Sequence, residues 1–516
     1  MKNIFFNDKV LDAEKKIISS LRISSAVLME NAGLNSAAYI RENFRDSITN
    51  EVIIITGKGN NAGDGFVTAR HLAIENIHVK VLSLFKESEL KGDSLINYNI
   101  LKKSYGNNIN IIYCKDEKEI RKEITDENGL IIDAVFGVGF KGKLENRITE
   151  IFIFINDLKN KIRISLDTPS ALFNYNQTSA AFKADVTLAI GIKKFHSVFY
   201  EGRKNSGWIE VMNMGVSDRE FTKYNSDGIF EIEEDDVINF LPKREINSNK
   251  YSTGKVFILS GSKGLTGAAS LCSMSALRTG SGAVVTGVPE SINDIMEIKL
   301  TEVMTMPLAE TPESSLSIDS YEEIRSRFEW ADTVLIGPGI SKNEETMSLV
   351  RRIVKDNDLS YVLDADAISA FRGNLNLLKN KKIIITPHFG EFANLLGKNI
   401  EEVKNNFFEL AKTFAKDFKI ILVLKNSPTM ITDGNKFYIN TTGKENLATA
   451  GSGDVLSGII ASLYSQTNNI LESALAGVYI HGMCGDNLYR DNGPDSTIAG
   501  DLINEIAEVK NALVRK

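Results

Sequence analysis

Short, continuous apolar runs recur along the first two hundred residues, at 52–56, 79–84, 130–136, 162–166 and 186–190. Each has the length of a strand, and stretches of helical spacing separate several of them. Val10, Leu11, Ile17, Ile18 and Leu21 fall at the helical period, and Ser24 and Ser25 offer an N-cap for a second helix through Leu28 and Ala32. Apolar strands alternating with helices predict a parallel sheet covered on both faces. The alternation stops near 212–224. An acidic stretch (231–236) and a polar run (243–250) follow, and they read as a solvated linker or helix face. A second series predicts strands at 256–259, 283–287, 333–336, 361–363, 383–386 and 420–424. A hairpin about Asp433-Gly434 joins 429–432 to 436–439, and a long helix starts near Gly453. The pattern thus predicts two α/β domains, over residues 1–220 and 228–516, with their boundary between about 217 and 230.

Length and composition narrow the classes. A chain of 516 residues is long enough for several domains, and 43% hydrophobic residues suffice for packed cores. The net charge of −7 lacks the basic surface that nucleic acid or an anionic membrane would need. Cys114, Cys272 and Cys484 are odd in number and far apart, which excludes a disulfide framework or a thiolate zinc site and fits a reducing cytoplasm. The N-terminal stretch meets charge at Asp8 and Lys9 before any apolar run grows long, unlike a signal peptide, and no run approaches the roughly 18 residues of a membrane helix.

Chemistry concentrates where strands end. GKGNNAGDGFVTAR (57–70) follows a strand and precedes a helix, but its glycines fit neither the dinucleotide fingerprint nor the P-loop. Asn60, Asn61 and Asp64 in one loop point to a polar ligand. Asp133 and Asp167 end two further strands, the first followed by Gly137, Gly139 and Gly142, the second by Thr168, Pro169 and Ser170. Ligands of open α/β sheets bind beyond the carboxyl ends of strands, where these three loops would converge. Asn61, Asp133 and Ser170 offer only hard oxygen donors, suited to a hard cation rather than zinc. Taken singly, each is equally well an Asx or Ser turn. In the second half, Ala268, Ala269 and Ala276 let a helix of small residues pack closely, and TPHFGE carries His388 and Glu391 behind a strand. ATAGSGDVLSGII (448–460) places Gly451, Ser452 and Gly453 at a helix start, with Asp454 in its first turn. Free amides there can stabilise a transferring phosphoryl group, and the carboxylate can take a proton from an attacking hydroxyl.

Together these motifs resemble the bifunctional NAD(P)H-hydrate epimerase/ADP-dependent NAD(P)H-hydrate dehydratase family over nearly the whole chain. LMENAG (28–33), GKGNNAGDG (57–65), DAVFGVGF (133–140) and DTPSAL (167–172) are similar to its epimerase half. GSKGLTGAA (261–269), ALRTGSG (276–282), GPG (337–339), LDADA (363–367), TPHFGE and AGSGDVLSG are similar to its dehydratase half. The resemblance implies a Rossmann-like three-layer domain followed by a ribokinase-like α/β domain. It implies interconversion of R and S hydrates bearing a hydroxyl on ring carbon 6, then phosphorylation of the S form by ADP and loss of phosphate to restore NADH or NADPH. Asn60, Asn61, Ala62, Gly63, Asp64, Gly137, Val138, Gly139, Phe140, Lys141, Gly142, Lys143 and Asp167 would bind the hydrated cofactor for epimerisation, Asp167 also as acid/base. Asn61, Asp133 and Ser170 would hold a potassium ion. Ala268, Gly339 and His388 would contact the hydrated cofactor at the second site, and Lys425, Asn426, Ser427, Pro428, Thr429 and Gly453 the adenine nucleotide. Asp454 would also contact that cofactor, as the general base. Mg²⁺ would bridge the nucleotide phosphates, with Glu391 a candidate for its water shell. The resemblance further implies a homo-oligomer in the cytoplasm.

Departures from the family pattern carry expectations of their own. Ala62 and Ala171 stand where glycine is common, and alanine is strained wherever φ must be positive. Asn249-Lys250 replaces a usual His-Lys pair, and Ser452 replaces a threonine while keeping its hydroxyl. Two other readings stay open on sequence alone: a small-alcohol kinase fused to a nucleotide-binding domain, and a dehydratase whose first half binds without catalysing.

Overall fold

The computed structural model describes residues 1–49, 51–104, 108–140, 144–175 and 181–515. The chain divides into two compact units, Lys2–Asp227 and Gly228–Lys516 together with Met1.

In the first unit, seven strands among the described residues form one parallel sheet. Its order is Ile109–Tyr113, His78–Ser83, Glu51–Thr56, Leu130–Ala134, Ile162–Leu166, Val186–Ile190 and Trp208–Met212. Register is set by pairs such as Ile54 with Val81 and Ile53 with Ile131. Successive side chains leave opposite faces. Val52, Ile54, Ile132 and Ile164 pack on Phe66, Ala69 and Leu72 of the helix Asn60–Ile74. Ile53, Ile55 and Ile131 pack on Ile148, Ile151 and Phe152 of the helix Asn146–Asp157. Each fully buried isoleucine contributes about 1.5–3 kcal/mol, which is why these strands are apolar throughout rather than alternating. The chain enters the sheet near its middle, at Glu51–Thr56, winds outward to one side, and returns to continue on the other. The reversal opens a crevice at the carboxyl ends of Glu51–Thr56 and Leu130–Ala134.

The second unit repeats this plan. Its parallel strands run in the order Met304–Leu308, Ala283–Pro289, Lys255–Leu259, Thr333–Ile336, Ser360–Leu363, Lys382–Ile385 and Ile421–Leu424. Thr429–Thr432 pairs antiparallel with both neighbours, and Phe437–Asn440 and Ile229–Glu231 continue from it. The reversal lies between Lys255–Leu259 and Thr333–Ile336. The helices Thr266–Thr279 and Ser452–Thr467 meet closely because Gly458 has no side chain: a Cβ there would lie 2.1 Å from Ser275 Oγ.

Several expectations need correcting. The acidic stretch is not wholly solvated: Glu231 ends a strand, is buried, and accepts a hydrogen bond from Thr441 Oγ1 at 2.7 Å. The strand from Leu130 stops at Ala134, and residues 60–64 form the first turn of a helix rather than a loop. Ile109–Tyr113, Trp208–Met212 and Met304–Leu308 are strands that the apolar pattern did not announce.

The two alanines behave differently. Ala62 lies inside the helix Asn60–Ile74 and is fully buried without left-handed backbone. Ala171 has φ +67°, in the region that favours glycine. The left-handed conformation costs an L-residue about 1–2 kcal/mol, partly offset by the freedom glycine gains when unfolded. Ala171→Gly is therefore expected to stabilise the first unit by about 1 kcal/mol. A denaturant midpoint that stays put or falls would contradict this.

Candidate functional site

The crevice of the first unit holds a cavity of about 660 Å³, within the range of small-molecule sites. Leu11, Ile18, Leu28 and Met29 form an apolar wall. They come from the helices Asn7–Leu21 and Ser25–Phe44, the second capped by Ser24 Oγ, which accepts from Val27 N. The rest of the lining follows the strand ends: Asn60, Asn61 and Asp64 at a helix start, then Gly137, Val138, Gly139 and Phe140, then Asp167. A Cβ on Gly137 would stand 2.9 Å from Asp167 Oδ2 and 3.4 Å from Asn61 Cβ, so the three loops do converge. Phe140 stacks between Phe136 and Phe173, with centroids 4.1 and 5.5 Å away. Ala62 and Gly63 are buried behind this wall and do not line the cavity. Lys141, Gly142 and Lys143 lie outside the described residues.

Asp167 follows its strand with φ +69°. Its carboxylate accepts from Val138 N at 3.3 Å and is ion-paired with Lys194. Lys194 is 1% exposed, donates to Ile190 O at 2.7 Å, and is positioned where the short strand Lys193–Lys194 pairs with Lys2–Phe5. Nothing in the sequence marks it, because a lone lysine normally reads as surface. Two further acids face the same charges. Burial, and then the charges of Asp167 and Glu14, raise the pKa of Asp64 well above the carboxylate range, against the pull of Lys194. Burial, then the charge of Asp167, push Glu14 up to about 7.

The residues expected to hold a cation divide. Asp133 is fully buried and accepts from Val135 N, Ser165 Oγ, Ser170 N and Ser170 Oγ. Burial still raises it to about 6, these hydrogen bonds opposing. Ser170 Oγ also accepts from Phe136 N at 2.8 Å. Asn61 is buried with neither carboxamide atom hydrogen-bonded. An orphaned amide oxygen and a buried carboxylate with no ion-pair partner among the described residues fit a monovalent ion held by oxygen donors.

In the second unit the carboxyl ends of five strands and one helix start come together. Asp454 lies in the first turn of Ser452–Thr467, entered through Gly451 at φ +87°. Ser452 Oγ contacts His481 Nε2 at 3.1 Å, which fixes the turn from behind. Lys425, after the strand Ile421–Leu424, donates to Asp364 Oδ1 at 2.8 Å and stands 3.9 Å from Glu391. Thr386 Oγ1 donates to the same Asp364 oxygen at 2.7 Å. A Cβ on Gly453 would lie 3.3 Å from Lys425 Nζ, so the ammonium faces the helix start. Burial alone would lower the Lys425 pKa, but Asp364 and Glu391 hold it above its usual value. Burial, then the charge of Asp364, raise Asp454 to about 7, against the pull of Lys425. A carboxyl poised near neutrality beside free amides is suited to general-base work on an alcohol.

The other expected residues spread around this centre. Ala268 and Gly339 face each other, since a Cβ on Gly339, at φ +66°, would lie 3.0 Å from Ala268 Cβ. Ala268 is thus half-exposed at the site, and only Ala269 and Ala276 serve packing. His388 caps the helix Phe389–Leu396, Nδ1 accepting from Gly390 N at 2.9 Å and Glu391 N at 3.2 Å. Glu391 accepts from His388 N at 2.9 Å. Asn426, Ser427, Pro428 and Thr429 follow Lys425, with Thr429 Oγ1 donating to Asn426 O at 3.0 Å. Asn249 turns the chain by accepting from Tyr251 N at 2.9 Å. Asp364, Asp366 and Thr386 went unassigned in the sequence, although LDADA marked the first two. Among the described residues no group of three His, Cys, Asp or Glu side chains could hold a metal ion. No helix among them is long and apolar enough to cross a membrane.

Comparison with known proteins agrees with both halves. Residues 256–508 match a family described as NAD(P)H-hydrate dehydratase, and residues 25–195 match the family of YjeF-related protein N-termini. The chain is 34% identical to the bifunctional NAD(P)H-hydrate repair enzyme of Moorella thermoacetica, over 94% of this chain and 92% of that one. It is 30% identical to the same enzyme of Dictyoglomus turgidum, over 99% and 98%. A ribokinase-like superfamily protein of Enterococcus faecalis superposes with a TM-score of 0.50 at 22% identity, covering 56% of this chain and 98% of its own, and shows the ribokinase-like fold. The α/β architecture and the order of its motifs were both expected of one family, and this chain belongs to it: the bifunctional NAD(P)H-hydrate repair enzymes.

Proposed function

We propose that residues 1–220 epimerise the R and S hydrates of NADH and NADPH, and that residues 228–516 dehydrate the S form at the expense of ADP. The observation that carries this reading is Asp454, a carboxyl raised to about 7 at an amide-lined helix start beside Lys425. Its carboxylate removes the proton of the ring hydroxyl as that oxygen attacks the β-phosphorus of ADP. AMP leaves, and the hydroxyl, a poor leaving group, has become a phosphate ester. The C6–O bond then breaks with its electron pair on the departing phosphate, a proton leaves the adjacent ring carbon 5, and the C5=C6 double bond of the reduced ring is restored. Positioning and charge stabilisation carry such a transfer, and Lys425 with the amides of Gly451 and Gly453 supplies both. Lys425–Thr429 hold the nucleotide, and Ala268, Gly339 and the exposed edge of His388 hold the hydrated ring. Mg²⁺ would be held by the nucleotide phosphates, since Asp364 is engaged by Lys425 and Glu391 by a backbone amide.

In the first unit, Asn60, Asp64 and residues 137–143 bind the hydrate, and Asp167 exchanges a proton with the oxygen leaving or joining the epimerising carbon. Asn61, Asp133 and Ser170 hold potassium, which would neutralise the buried Asp133. One assay tests the reading: mixed epimers of hydrated NADH, ADP and Mg²⁺, followed by absorbance of the reduced ring. Full recovery of both epimers, faster than spontaneous epimerisation, is expected, with omission of potassium slowing the R fraction alone. Recovery of the S fraction only would leave the first unit a binding module. A stable phosphorylated alcohol without ring recovery would make the second unit a kinase.

A further inference from the structure

Epimerisation at ring carbon 6 needs more than one proton-handling group. That carbon bears both the hydroxyl and a bond to the ring nitrogen. If the hydroxyl oxygen gains a proton, the C–O bond breaks with its electron pair on oxygen, and water leaves. The nitrogen lone pair then forms a planar C=N⁺. Water adding to the opposite face forms a new C–O bond, the π pair returns to nitrogen, and the added water gives up a proton. One acid and one base, on different sides of the ring, are therefore required, with water lost and regained in equal amount.

The first unit brings two candidate carboxyls, Asp167 and Glu14, to the lining of one cavity. Asp167 stands on the polar wall among the strand ends, ion-paired with Lys194. Leu11, Glu14 and Ile18 form the stripe of the helix Asn7–Leu21 that lines the same cavity, while Val10, Ala13 and Ile17 face the core. Glu14 thus interrupts an apolar stripe with a carboxyl that forms no hydrogen bond or ion pair among the described residues. A charged group kept partly buried without a partner is costly unless it has work to do. We propose that Glu14 is the second acid/base of the epimerase site, acting with Asp167 on the two proton transfers. The assignment deepens the epimerase reading above and rests on it.

The two carboxyls occupy unlike surroundings, as acid and base roles demand. Asp167 has a buried ammonium, whereas Glu14 feels burial and the negative charge of Asp167, with Lys194 opposing, and titrates near 7. Asp64, also on the cavity wall, adds a third acid, whose pKa burial and the charges of Asp167 and Glu14 raise well above the carboxylate range. The active form carries one proton on the Glu14–Asp167 pair, in either direction of the reaction. Epimerisation should accordingly fall as pH rises past about 7, when Glu14 gives up its proton.

The test uses the full-length chain, the R epimer of hydrated NADH, ADP and Mg²⁺, with the S-specific dehydration by the same chain as readout. Glu14→Gln is expected to lower the R-to-S turnover by about 100-fold or more with KM nearly unchanged, and to abolish the fall above pH 7. Glu14→Asp should recover at least about tenfold of the loss and restore a fall with pH. Dehydration of the S epimer by both variants should equal that of the unaltered chain, which reports intact protein. Retention of the R-to-S rate in Glu14→Gln, or a lower rate with the unaltered pH profile, would overturn the assignment of Glu14 alone. An unaltered chain that leaves the R epimer at its spontaneous rate would overturn the epimerase reading itself.

Discussion

Asp454→Asn is expected to lower ADP-dependent recovery of the reduced ring by about 100- to 10,000-fold, the usual worth of a general base, while ADP still binds. The amide keeps the shape of the side chain and removes only its basicity. The free amides of the turn and Lys425 remain, so nucleotide affinity measured by calorimetry should change little. The same carboxyl sets a pH dependence. Its pKa is raised to about 7, so below that pH the group is protonated and idle. With S hydrate, kcat/KM should rise about tenfold per pH unit up to 7 and level off above it. Lys425→Met removes the charge that opposes the upward shift, and should move this limb to higher pH. Unchanged turnover in Asp454→Asn would remove the residue from the chemistry.

Asp167→Asn is expected to abolish the R-to-S step and leave S dehydration intact. Asparagine can still accept from Val138 N but cannot carry a proton or answer the charge of Lys194. Lys194 is then a buried, unpaired cation. Breaking such a pair by removing one partner costs about 3–5 kcal/mol, so the first unit should also melt earlier. A double variant, Asp167→Asn with Lys194→Met, should regain much of that stability and none of the epimerisation. An undiminished R-to-S rate in Asp167→Asn would refute the role given to it.

Legibility in the sequence followed burial. The central strands could be seen because both their faces are covered, as at Val52–Ile55 and Leu335–Ile336. The missed strands lie at sheet edges and look unlike them. Trp208 is 65% exposed at the start of its strand, and Met304–Leu308 contains Pro307, which an edge tolerates. Strand-end acids such as Asp133 and Asp167 were legible because parallel sheets place ligands there. Lys194 and Glu14 were not. Their meaning arises only when chain segments far apart close the cavity, and locally each resembles an ordinary solvated residue. Ala171 was legible as a departure from a glycine, but its positive φ is a property of the folded loop.

The order in which the second sheet is wound has a consequence for synthesis. Its interior strand, Lys255–Leu259, leaves the ribosome early, yet one of the two helices that cover its face, the one that carries Asp454, begins only at Ser452. At ordinary translation speeds that interval of roughly 190 residues lasts about 10–40 s. Through that delay a sheet destined for complete enclosure has one flank unroofed, which makes the nascent chain a client for chaperones that shield apolar surface.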